Sequence, residues 1–171
     1  MPTITEYISA GDSLDAFISH LYNRSQSFVA GSNYTLRSIK LKLLRQGSPS
    51  GDFVVSVKNA GSDHKPTGSV LSSHAIPSNS LPLITSDWVE FVLDTPINLV
   101  SGNRYAIICD CNYDDDVNRA GWRLGLTIPF DGIAGYTNGD GATWIIYDSG
   151  YCMLFENYKV DSFAKSQGLI F

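Results

Sequence analysis

Paired carboxylates are the first side chains in this sequence that could do chemistry. Glycoside hydrolysis uses two of them, one on each side of the scissile bond. The chain contains three glutamates, Glu6, Glu90 and Glu156. Glu90 and Glu156 lie in strand-like runs, so they form a catalytic pair only if both strands present them on one concave face. The favoured alternative is that each is the outward polar residue of an alternating strand.

A nucleophilic serine or cysteine needs a base beside it. The three histidines, His20, His64 and His74, lie in turn-like or undecided surroundings, and the sequence contains no G-x-S-x-G elbow. A β-sandwich can still bring a serine and a histidine together, but the sequence does not single out such a pair. We therefore expect a protein that is not an enzyme.

An acidic cluster offers candidate ligands for calcium. It comprises Asp110, Asp114, Asp115 and Asp116. Calcium prefers several carboxylate and carbonyl oxygens on a flexible loop. The cluster lacks the D-x-D-x-D-G spacing of an EF-hand, so the alternative is a solvated acidic loop. Calcium is the one cofactor for which the sequence suggests ligands.

Aromatic residues concentrate in the second half of the chain and could bind sugars. An aromatic ring stacks on the apolar face of a sugar, and a few polar neighbours set its orientation. The candidate ligand contacts are Tyr113, Trp122, Tyr136, Trp144 and Tyr151. For the two tryptophans core packing is the favoured alternative, whereas the tyrosines are the residues expected at the surface.

The elements that must position these residues have the pattern of β-strands. Residues 39–43 and 53–58 alternate apolar and polar side chains, which is typical of half-buried antiparallel strands. A turn-rich link at residues 46–51 separates them. Similar short runs, punctuated by turn signals, continue to residue 158. Together they predict an all-β, antiparallel, two-sheet sandwich.

One segment near the start is ambiguous between a short N-terminal helix and an irregular strand. Its apolar residues are Leu14, Phe17, Ile18 and Leu21. Their spacing of three, four and seven residues fits one face of a helix. Its β-branched and aromatic members fit a strand as well, so both alternatives stay open at this point.

We divide the chain into a lead segment at residues 1–24, a sandwich domain at 25–158 and a tail at 159–171. The tail ends in the apolar residues Leu169, Ile170 and Phe171, which are candidate assembly contacts with other copies or other structural proteins. The alternative is that the tail packs on its own sandwich. The first residues have neither the basic nor the apolar region of a signal peptide.

Composition disfavours two classes of partner. The net charge is -5 and charged residues make up 17% of the chain. Nucleic-acid affinity comes mainly from Lys and Arg that neutralise phosphates, so we expect no nucleic-acid partner. No apolar run approaches the roughly 20 residues of a membrane helix, so we expect no membrane insertion.

The three cysteines are expected to be buried thiols. Cys109 and Cys111 are two residues apart in a strand-like run, so they point to one face and are poorly placed to bond each other. A disulfide from either one to Cys152 is the alternative. Burial is favoured because cysteine is among the most buried residue types.

Several blocks of residues, in their order and spacing, suggest a family. They are Gln26-Ser27-Phe28, Tyr34 to Leu43, Gly47 to Gly51, Lys65 to Gly68, Trp88 to Phe91, Leu99 to Ile108, Gly121-Trp122-Arg123, Gly141 to Trp144 and Leu154-Phe155-Glu156. The blocks resemble a β-sandwich module of the choice-of-anchor type, which is found in phage and virus structural proteins and in bacterial surface proteins. That module is similar in outline to carbohydrate-binding modules.

The resemblance implies a jelly-roll-like fold and a non-catalytic structural or adhesion role. The protein would then act in a virion or at an extracellular surface, as a decoration, spike or tail-associated component that also grips glycans. The alternatives are a free-standing carbohydrate-binding module and, less favoured, a glycoside hydrolase. A fold does not by itself fix a function, so the site must decide between them.

Overall fold

A computed structural model describes residues 3–19, 21–111, 117–126, 130–137, 143–147 and 150–160. Within those ranges the chain forms β-strands and one short 3-10 turn at Ser78–Ser80, and no α-helix. The strands are β1 (Thr3–Ile8), β2 (Asp12–Ile18), β3 (Arg24–Val29), β4 (Tyr34–Gln46), β5 (Asp52–Ala60), β6 (Pro66–Pro77), β7 (Asp87–Leu99), β8 (Arg104–Cys111), β9 (Arg119–Leu126), β10 (Ala134–Thr137), β11 (Trp144–Ile146), β12 (Tyr151–Met153) and β13 (Phe155–Lys159). In this part of the chain no helix is long and apolar enough to cross a membrane.

The strands form two antiparallel sheets that pack face to face. One sheet has seven strands in the order β1-β13-β4-β9-β12, with β2 beside β9 and β7 beside β4. The other has six strands in the order β11-β10-β3-β8-β5-β6. The chain crosses between the sheets at most connections, which is the wiring of a jelly-roll-like sandwich. The predicted all-β, two-sheet antiparallel sandwich is therefore confirmed.

The alternating runs lie as their pattern predicts. In β4 the residues Ile39, Leu41 and Leu43 are fully buried between the sheets, as are Phe53, Val55 and Val57 in β5. The polar residues between them face outward. The two strands belong to different sheets, so the turn-rich link that separates them carries the chain from one sheet to the other. A local period of two thus sets which side chains fill the core.

The ambiguous N-terminal segment is a strand, and the helical alternative is wrong. β2 pairs with β9 from Asp12 beside Gly125 to Ile18 beside Ala120. Ile18 is buried, whereas Phe17 lies on the outer face under the Arg119 guanidinium, 3.5 Å from the ring centroid. A helix would have placed these neighbours on one face. The segment forms a strand because pairing with β9 satisfies backbone hydrogen-bonding groups of both strands.

Residues before Ser25 are part of the sandwich. β1 pairs with β13, from Thr3 beside Lys159 to Ile8 beside Phe155, and β2 completes the other side of the same sheet. The segment that we divided off as residues 1–24 therefore supplies two strands to the domain.

The three cysteines are buried thiols, as expected. Burial raises the pKa of Cys109 well above its ordinary value and that of Cys152 to about 11. Such thiols are poor nucleophiles because the reactive thiolate is disfavoured.

Candidate functional site

The predicted ligand contacts separate into different environments. Trp122 has 0% of its surface exposed and donates a hydrogen bond from Nε1 to the Leu154 oxygen at 2.8 Å. It is a core residue, so its assignment as a ligand contact is wrong, because a side chain with no exposed surface cannot touch a ligand. Tyr136 and Trp144 are partly exposed, and Tyr151 is exposed.

Several other candidates fall outside the part of the chain that the structure describes. These are Tyr113, the three aspartates Asp114, Asp115 and Asp116, and the tail residues Leu169, Ile170 and Phe171. Asp110, the remaining member of the acidic cluster, lies near the end of β8. Calcium binding and tail-mediated assembly therefore stay predictions.

Trp144 lies at one end of a groove on the outer face of the six-stranded sheet. The groove has a volume of about 480 Å³. Polar and aliphatic side chains line it together with the indole. The residues that define this Trp144 groove are Asn23, Val54, Ser56, Lys58, Val70, Ser73, Ile108, Asp110 and Trp144. It therefore combines one aromatic surface with hydroxyl, amide and charged groups.

Strand register explains why these residues meet. Ser56 on β5 lies between Ile108 on β8 and Ser73 on β6, and all three side chains point away from the core. At the other side of the sheet Trp144 on β11 pairs with Thr137 on β10. Since neighbouring strands are about 4.8 Å apart, the path from β11 to β6 crosses roughly 24 Å of sheet. The groove thus has the length of an extended ligand.

A second cluster lies on the opposite face of the same edge strands. We call Tyr136, Tyr147 and Tyr151, together with Arg24, the tyrosine cluster. The ring centroids of Tyr136 and Tyr147 are 5.3 Å apart, and those of Tyr147 and Tyr151 are 5.2 Å apart. These distances are those of stabilising aromatic pairs.

Arg24 holds this cluster together at the mouth between the two sheets. Its Nε donates to the Phe17 oxygen at 2.7 Å and its Nη1 to the Tyr147 hydroxyl at 2.8 Å. Its guanidinium carbon also lies 5.3 Å from the Tyr136 ring centroid. Burial lowers the pKa of Arg24, although the side chain remains charged at neutral pH.

The structure also brings a serine and a histidine together, which the sequence did not single out. Ser27 Oγ lies 2.9 Å from His64 Nδ1 and accepts a hydrogen bond from the Ile133 amide at 2.9 Å. Ser27 is fully buried. Arg104 donates to the same His64 nitrogen and forms an ion pair with Asp131. The serine is thus enclosed under the segment that contains Asp131 and Ile133, where a substrate has no access to it.

Glu90 and Glu156 are outward residues of the seven-stranded sheet, as favoured from the sequence. They lie on either side of Lys40, which pairs with Glu90 on β7 and with Glu156 on β13. Ser38 Oγ donates to Glu90, and the Tyr158 hydroxyl donates to Glu156. A hydrogen bond with Tyr158 raises the pKa of Lys40, and the two carboxylates add to the effect. The carboxylates therefore stabilise a cation between them.

The sequence singled out Tyr136, Trp144 and Tyr151 as candidate contacts, but not Arg24 and Tyr147, which lie against Tyr136. One signal was available for Arg24. Arg24 lies two residues before Gln26 and four before Phe28, both of which are buried between the sheets. The alternation of the strand therefore points Arg24 inward as well, and an arginine at an inward strand position is unusual. Tyr147 carried no such signal, because its partners come from three other strands or turns.

No protein-family model matches the chain, and the search of curated proteins finds no match either. The resemblance to choice-of-anchor modules therefore stays a prediction. What the protein does must be argued from the Trp144 groove, the tyrosine cluster and their surroundings.

Proposed function

We propose that the protein is a non-catalytic adhesion module that grips glycans as part of a virion-like or extracellular surface assembly. The observation that carries this proposal is the Trp144 groove. It offers a partly exposed indole at one end and several hydrogen-bonding side chains along its course. Sugars are bound by this combination of an aromatic surface and a few oriented polar groups.

The shape of the groove supports an extended ligand. Compact ligands are mostly enclosed in deep cavities that bury nearly all of their surface. The Trp144 groove instead runs across an outer sheet face, from β11 towards β6. A chain of sugars can lie along it, with one ring on Trp144 and its hydroxyl groups near Ser56 and Ser73.

Removal of the indole tests the glycan half of the proposal. A glycan array identifies a neutral glycan that binds, and calorimetric titration then compares the wild type with Trp144→Ala. Loss of one buried aromatic contact costs about 1.5 kcal/mol or more, which is a loss of affinity of about tenfold or more. The matched control is Ile145→Ala, because Ile145 is 40% exposed and lies on the opposite face of the same strand.

Two outcomes would contradict glycan binding in the Trp144 groove. One is that the array finds no glycan that binds at millimolar concentration. The other is that Trp144→Ala binds the glycan as tightly as the wild type and the Ile145→Ala control do. Release of new reducing ends from the bound glycan would contradict the non-catalytic part and favour a hydrolase.

Exposed apolar side chains support the assembly half. Leu83 and Ile84 are 51% and 72% exposed. Ile84 has a φ of 66°, and the Thr85 amide donates to the Leu83 oxygen at 2.7 Å, so the two residues form a tight turn. A positive φ is unfavourable for a β-branched residue. A turn that keeps an unfavourable backbone and displays two apolar side chains is suited to contact with another copy or another structural protein.

Sedimentation velocity of the full chain tests this half. We expect a discrete oligomer, which the double variant Leu83→Ser/Ile84→Ser shifts towards monomer. Val100→Ser is the control, because Val100 is 51% exposed but lies near the opposite end of β4. A wild type that is monomeric at high concentration and still binds glycans would favour the alternative, a free-standing carbohydrate-binding module.

A further inference from the structure

The described partners of Arg24 do not neutralise its positive charge. Its hydrogen bonds go to a backbone oxygen of Phe17 and to the hydroxyl of Tyr147, both of which are neutral. Among the described residues no carboxylate forms an ion pair with it. Burial of a cation without an opposite charge costs free energy, and a bound anionic ligand would offset this cost. Such a cation is suited to bind an anionic group of a ligand.

The geometry leaves donors for such a partner. A guanidinium carries five N–H donors, and the described contacts of Arg24 engage its Nε and its Nη1. Nη2 forms no hydrogen bond with any described residue. A carboxylate is the group that the fork of a guanidinium binds best, because two parallel hydrogen bonds form at once.

Aromatic rings form the rest of the site. Tyr136 lies against the guanidinium, and Tyr147 connects it to Tyr151, which is 36% exposed at the mouth of the sandwich. Tyrosine rings provide both an apolar face for a sugar ring and hydroxyl groups for its oxygens.

We propose that the tyrosine cluster is a second binding site, which takes the carboxylate of an acidic sugar on Arg24 and its ring on Tyr151. The ligand class is a carbohydrate that carries a carboxylate, such as a uronic acid. The site is independent of the Trp144 groove, since the two lie on opposite faces of β10 and β11. Trp144→Ala therefore leaves acidic-sugar binding unchanged.

Titration with glucuronate and with glucose as its neutral counterpart tests the proposal. In ¹H–¹⁵N spectra the Arg24 Nε–H signal shifts saturably with glucuronate, whereas glucose at the same concentration has no effect. Arg24→Lys keeps the charge but loses the fork, so affinity falls about tenfold or more, as expected for a charge-assisted hydrogen bond. Arg37→Gln is the control, because Arg37 is an exposed arginine on β4, and it leaves the affinity unchanged.

Arg24 also connects two sheets, so its variants are checked by circular dichroism. Tyr151→Ala keeps the test decisive if they fail to fold, because Tyr151 takes no part in the Arg24 hydrogen bonds. It folds normally and binds glucuronate several-fold more weakly. The proposal is overturned if glucuronate causes no shift at millimolar concentration, if glucose binds equally well, or if Tyr151→Ala binds glucuronate as tightly as the wild type.

Discussion

Replacement of Trp122 by phenylalanine separates the core tryptophan from the one in the groove. Trp122 is fully buried, and its Nε1 donates to the Leu154 oxygen at the junction between β12 and β13. Trp122→Phe removes this donor and leaves a cavity. The Leu154 oxygen keeps one weaker contact, from the Lys42 amide at 3.4 Å, so the lost hydrogen bond costs about 1 kcal/mol, near the lower end of the usual range.

The cavity adds a similar amount. An indole is larger than a phenyl ring by roughly 40 Å³, and residual cavities cost about 24 cal/mol per Å³, which gives about 1 kcal/mol. We expect a total loss of about 2–3 kcal/mol once the lost apolar transfer is included. For a domain of this size the loss lowers Tm by roughly 5–10 °C.

Urea unfolding followed by far-UV circular dichroism measures this loss without relying on tryptophan fluorescence. Trp144→Phe is the control and changes the free energy of unfolding by less than about 0.5 kcal/mol, as is usual for surface sites. Glycan affinity shows the reverse pattern, since Trp122→Phe leaves it intact. A Trp122→Phe protein as stable as the wild type would refute the placement of this side chain.

Three further predictions concern the contacts made by β3 and by its neighbouring segments. Gln26→Leu leaves the buried Met153 amide without the side-chain oxygen that accepts from it at 2.6 Å, so the free energy of unfolding falls by about 1–3 kcal/mol in urea titration; equal stability would contradict this. Gly132→Ala would place a Cβ 1.9 Å from the Ser27 backbone oxygen, so the segment around Gly132 must move away from β3. Amide hydrogen exchange at residue 133 then becomes faster, and unchanged protection of that amide would contradict the prediction. The pKa of His64 is lowered, mainly by burial and then by the nearby Arg104 charge. The neutral imidazole therefore contributes to stability fully above about pH 6.5, and this contribution is lost as the pH falls through the lower pKa of the folded state. His64→Gln removes this part of the pH dependence, and an unaltered pH profile of Tm would contradict the assignment.

Much of the fold was readable from the sequence because it depends on local alternation. Every second residue of β4 and β5 faces the core, and that period is written in the sequence itself. The N-terminal segment was not decidable in this way, since Phe17 and Ile18 satisfy a helical and a strand pattern equally. The outcome depended on β9, which is about a hundred residues away in the chain.

The site was less readable because its contacts are not local. Trp122 and Trp144 carry the same side chain in similar strand-like runs, and only the assembled sheets show that one is buried and the other lines a groove. Arg24 meets Tyr147 across 123 positions of sequence. Residue types therefore indicated that aromatic side chains matter, whereas their partners required the fold.

The most direct test of glycan binding follows the three tryptophan indole signals in one titration. The chain has three tryptophans, so a ¹H–¹⁵N spectrum contains three indole N–H signals, and the buried Trp122 serves as an internal control. As a neutral glycan that binds in the array is added, the account predicts that the Trp144 signal shifts saturably while the Trp122 signal stays in place. A bound neutral glycan that leaves the Trp144 signal unmoved would contradict the account.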